Sequence, residues 1–154
     1  LDLKENNPEK EKMETLDAAW SLMEIMGVGM VDMKAWLWLY ANTDATPAQF
    51  REAVISIATE TWNKYFSPVI GVKDSPILAI YSHMVNSPLY LANYSYGQIV
   101  QFQIEEYLKG KKLSDEIDRM FSQGKLTPQQ WMMGAVGTKI SAQPILNKLE
   151  AAVR

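Results

Sequence analysis

With 154 residues, 47% of them hydrophobic and 21% charged, the chain has the make-up of one ordinary globular domain, able to bury roughly 70% of its unfolded surface. A net charge of −3 offers no basic face for nucleic acid, and the apolar stretches are too interrupted by charges and amides to span a bilayer. The absence of cysteine excludes disulfides and thiolate metal sites, and leaves the compartment open with a slight preference for the cytoplasm.

From the N-terminus, residues 1–7 read as a solvated lead-in. Asn7 before Pro8 pairs a capping residue with a proline at the first helical position. Leu16, Ala19, Met23, Met26, Met30, Met33, Leu37 and Tyr40 then recur at spacings of three and four, so a helix is expected from Pro8 to about Ala41. Gly27 and Gly29 each cost up to about 1 kcal/mol in a helix interior, and a kink or break is expected there. Thr46-Pro47-Ala48-Gln49 spells a capping box, and Phe50, Val54, Ile57, Thr61 and Tyr65 continue one face to a stop before Pro68. Val69 to Val72 is a candidate extended piece without a partner run. Ile77 to Met84 is a short element, helical or irregular. Ser87-Pro88 is expected to open a helix that Gly110 ends. Ser114 to Gln123, a second capping box at Thr127-Pro128-Gln129-Gln130 leading to Gly134 or Gly137, and Ala142 to Val153 complete the set. The expected fold is all-α, about six or seven helices in one domain.

The helix expected after Pro88 raises the functional question. Tyr90, Tyr94, Gly97, Gln101, Ile104 and Leu108 share one face, and Leu91, Ser95, Gln98 and Phe102 a second. A helix apolar or aromatic all round is expected to be enclosed by other helices. Asn93, Ser95, Gln98, Gln101 and Gln103 then need partners, because each unpaired buried polar group costs about 1–3 kcal/mol. A helix flanking a cleft meets both demands. The only histidine, His83, stands seven residues before Tyr90, across the Asn86-Ser87-Pro88 turn. By residue type alone, a lone histidine and a tyrosine pair are more often packing groups than catalytic ones.

Read as one block, "HMVNSPLYLANYSYG" at 83–97 resembles the substrate-cleft segment of oligoendopeptidase F-like metallopeptidases. "IVQFQIEEYL" at 99–108 and "GKLTPQQWMMGAVGTKISAQPILNKLEAAV" at 124–153 are similar to the C-terminal end of angiotensin-converting-enzyme-like dipeptidases. Both are gluzincin-type families of helical zinc peptidases, and the likeness covers nearly the whole chain, including the Trp36 and Trp38 segment. It implies the C-terminal subdomain of such a fold. The families take two zinc ligands and a general base from an HExxH helix and a third ligand from a later glutamate. Neither motif stands here, so the chain is expected to be a piece that begins just after the ligand helix, to hold no metal itself, and to be inactive alone. Zinc is expected in the complete protein.

The resemblance assigns Tyr94 to the tyrosine that supports the oxyanion and His83 to the histidine that donates to substrate or tetrahedral intermediate. It assigns Tyr90 to an aromatic cleft position. Tyr81 takes the place where converting-enzyme-like proteins keep a lysine for the substrate carboxylate, so it enters as a substrate-binding position with altered chemistry. Ala92 replaces a tyrosine frequent in the oligoendopeptidase-like pattern, and Asn93 a chloride-binding arginine. Chloride activation and dipeptidase specificity are therefore not implied. The expected partners are a peptide substrate and the missing N-terminal catalytic part, with no nucleic acid and no membrane. The methionines of the first helix add a candidate face for homodimerisation. The alternative is a non-catalytic helical peptide-binding or protein-interaction domain.

Overall fold

The helices that follow Asn7, Thr46 and Thr127 begin where those capping residues stand. The computed structural model describes residues 7–154, so the lead-in lies outside the described residues except for Asn7. In chain order the helices are α1 (Pro8–Ala41), α2 (Pro47–Tyr65), α3 (Ser67–Ile70), a 3₁₀ turn at Ile77–Ala79, α4 (His83–Asn86), α5 (Ala92–Leu108), α6 (Leu113–Phe121), α7 (Pro128–Val136) and α8 (Gln143–Val153). No strand occurs among the described residues, and the all-α expectation holds. The Asn7 side chain accepts the Lys10 amide at 3.3 Å. The Thr46 hydroxyl accepts the Gln49 amide at 3.3 Å while the Gln49 side chain accepts the Thr46 amide at 2.9 Å. Thr127 and Gln130 repeat the exchange at the start of α7, so both capping boxes form as their sequence requires.

Two expectations need correction. Of the kink or break expected at Gly27 and Gly29, the break does not occur: α1 runs through both. Val69 to Val72 is not extended: α3 is a single helical turn, closed by Gly71 at φ 83°, where the missing Cβ removes the steric cost.

The described chain forms two compact units, one of Ser21–Ser95 and one of residues 7–20 with Tyr96–Arg154. In the first, Val28, Val31, Ala58, Phe66, Leu78, Met84 and Leu91 make one buried core. Phe66 stacks on Trp62 with ring centroids 5.3 Å apart. Its ring tip fills the space a side chain at residue 27 would occupy. The helix-weakening glycine is thus repaid by contact with an aromatic ring, which explains the unbroken α1.

In the second unit, Phe102, Met120, Met132, Ala135, Ile145 and Ala152 are buried. Gln103, also buried, donates from Nε2 to Thr138 Oγ1 and the Lys139 carbonyl, both at 2.8 Å, and accepts the Ser141 amide at 3.0 Å. An amide set in an apolar helix therefore finds its partners in the α7–α8 connection. Arg119 pairs with Glu116 at 2.7 Å and donates to the Gly134 carbonyl at 2.7 Å, satisfying an orphan group at the end of α7. The Arg119 hydrogen bond holds the Glu116 carboxyl below the usual carboxylate range.

Candidate functional site

The segment from Ile80 to Tyr94 is short elements and turns. α4 ends where the Ser87 amide donates to the His83 carbonyl at 2.8 Å. Ser87-Pro88 does not open the next helix. Leu89 takes φ 63°, the Tyr90 amide donates to the Ser87 carbonyl at 3.1 Å, and α5 begins only at Ala92. A left-handed leucine cannot continue a right-handed helix, so Ser87–Leu91 is a turn and Tyr90 lies outside α5.

The turn brings the four expected residues together. The His83 ring lies 5.3 Å from Tyr81, 6.5 Å from Tyr90 and 6.3 Å from Tyr94, centroid to centroid. Tyr90 and Tyr94 meet edge to face at 5.5 Å and 85°, a favoured aromatic geometry. Tyr81, Tyr90 and Tyr94 remain 40%, 49% and 43% exposed. His83 is half-buried, with Nδ1 enclosed and unpartnered. Among the described residues the three phenol hydroxyls take no protein hydrogen-bond partner. Donors on an exposed aromatic surface are thereby left for a ligand.

α5 itself is less enclosed than its composition implies. Asn93, Tyr94, Tyr96 and Gln101 are exposed, and no atom lies within 4 Å of where a Gly97 side chain would begin. Gln101 donates to Glu105 at 2.9 Å, whereas Ser95 Oγ and Gln98 Oε1 are buried without partners.

Sequence reasoning missed Asp32. It is fully buried on the α1 face that carries Val28, Val31 and Ala35. Neither carboxylate oxygen has a formed hydrogen bond. Burial pushes the carboxyl above its ordinary range, against the pull of the Leu89 amide, the Trp36 indole and the Leu91 amide, which face it. Trp36 donates its indole N–H to the Met84 carbonyl at 3.3 Å, tying α4 to α1. The signal was present: an acid at the i+4 position of a Val28, Val31, Ala35 stripe is out of place on a solvated helix.

A cavity of about 670 Å³ at the α1–α2 corner is lined by Trp38, Asn42, Asp44, Gln49, Glu52 and Ser56. It includes none of the His83 cluster. Among the described residues no three His, Asp or Glu side chains converge to hold a metal. His83 is surrounded by phenols, so these residues do not fit a zinc site. No family model, curated protein or solved structure matches the chain.

Proposed function

We propose that this chain is the substrate-cleft portion of a zinc-dependent peptidase, with its metal and general base supplied by residues outside it. The observation that carries the reading is the convergence of His83 with Tyr81, Tyr90 and Tyr94, with all three phenols open to solvent. An imidazole N–H and phenolic O–H groups carried on neighbouring rings are the donor types suited to the negative oxygen of a tetrahedral intermediate. One such donor, preorganised, lowers the barrier by about 3–4 kcal/mol. In this arrangement Tyr94 and His83 stabilise the oxyanion, and Tyr90 and Tyr81 supply aromatic walls for the peptide.

The exposed α1 residues Met26, Met33, Leu37 and Tyr40 lie on one face and support the rest of the reading. That face packs against the catalytic part of the complete protein or, in the isolated piece, against a second copy.

His83→Ala in the complete protein tests the proposal. The expected result is a loss of kcat/KM for oligopeptides of at least about tenfold. Unchanged kcat/KM removes His83 from the mechanism. A complete protein that binds oligopeptides and hydrolyses none establishes the binding-domain alternative instead.

A further inference from the structure

We infer that Asp32 is the positioning residue of the His83–tyrosine cluster, holding the Ser87–Leu91 turn from beneath so that its charge state sets where Tyr90 and Tyr94 stand against His83. Three side-by-side positions of α1 meet the backbone that carries the cluster. A Cβ on Gly29 would lie 3.6 Å from the Leu91 carbonyl carbon and the Ala92 amide, so the two backbones are in close approach. Asp32, three residues on, faces the Leu89 and Leu91 amides. Trp36, seven residues on, holds the Met84 carbonyl, next in the chain to His83. At helical spacing these positions share one face, so α1 sets the register of α4, the turn and the first residues of α5 together.

The turn needs such support. Leu89 is held at φ 63°, a conformation that L side chains with a Cβ avoid. The Leu91 amide, at the start of α5, has no intrahelical acceptor and favours a negative group nearby. Asp32, on another helix, is such a group only when ionised. It is enclosed and lacks a formed hydrogen bond, so its charge is incompletely compensated. Among the described residues no titratable or charged group, the neighbouring Lys34, His83, Tyr90 and Tyr94 included, makes an ion pair or hydrogen bond with it.

The consequence is a defined pH response. The folded-state proton affinity of Asp32 is raised by burial, so the fold favours the protonated acid. Its contribution to stability is fully present below the unfolded-state value and is lost as pH rises through the folded-state value. Over the same range the carboxylate forms and draws the Leu89 and Leu91 amides toward it, moving the Tyr90 ring with them.

The test is an NMR pH titration of this chain, following the Asp32 carboxyl carbon, the Leu89 and Leu91 amides and the Tyr90 and Tyr94 rings. In the wild type all five are expected to share one midpoint above the ordinary aspartate range, with the amide protons moving downfield as the acid ionises. The step is expected to vanish in Asp32→Asn and to persist in His83→Asn, which separates it from titration of the imidazole. A step that survives in Asp32→Asn overturns the inference. So do wild-type amides or rings that ignore the Asp32 midpoint, a result that needs no variant to fold. The use of this device in catalysis rests on the peptidase reading, but the titration contains no substrate and succeeds or fails separately.

Discussion

On the proposed peptidase reading, Tyr94→Phe is expected to lower kcat of the complete protein about 10²- to 10³-fold, the effect of removing one oxyanion donor, while leaving KM within about threefold. The substitution isolates the hydroxyl. The Tyr94 ring meets Tyr90 at 5.5 Å and His83 at 6.3 Å, contacts that a phenylalanine preserves. No protein hydrogen bond is lost, and the residue is 43% exposed. Folded stability should therefore stay within about 0.5 kcal/mol of wild type, as for a surface change. A tyrosine that only packs predicts turnover intact as well, because phenylalanine keeps both ring contacts. Steady-state kinetics with one oligopeptide, together with a thermal melt, distinguishes the two.

The largest stability effect is expected at Phe66. Phe66→Ala empties the centre of the Ser21–Ser95 core, where the ring is 4% exposed and stacked on Trp62. A loss of about 3–5 kcal/mol follows from the deleted area and the residual cavity, or a fall in Tm of roughly 6–20 °C for a chain of this size. The companion change is Gly27→Ala. In the wild-type background its methyl meets the Phe66 ring and should cost about 1–3 kcal/mol as overpacking. With Phe66→Ala already made, the same methyl meets only Leu78, at an ordinary 3.4 Å contact, and gains up to about 1 kcal/mol of helix propensity. The pair should thus be non-additive by more than about 1 kcal/mol in a double-mutant cycle. Additive effects would mean that Phe66 does not occupy the Gly27 notch.

The helix starts were legible because their information is local. Asn7-Pro8 and the two Thr-Pro-X-Gln boxes need only residues within one turn to satisfy their first amides, and each does so. Ser87-Pro88 looks the same in sequence and behaves differently. Its following residues are held by α1, from more than fifty positions away, and a Leu89 at φ 63° postpones the helix to Ala92. Gly27 misled for a related reason: the propensity cost is local, but the compensating Phe66 contact is not. The candidate site was legible in part. His83, Tyr81, Tyr90 and Tyr94 do converge, although through a turn and not along one continuous helix. Asp32 was overlooked because its burial and the amides facing it are tertiary facts.

The central claim is that His83 and the phenols beside it form one surface that receives a peptide. Intermolecular nuclear Overhauser contacts between this isotope-labelled chain and an unlabelled, end-blocked alanine oligopeptide bearing one phenylalanine test it directly. The expected result is contacts from peptide protons to the rings of His83, Tyr90 and Tyr94, all saturating on one binding curve. Peptide contacts confined to other residues, or ring signals unmoved up to the solubility limit of the peptide, would contradict the claim.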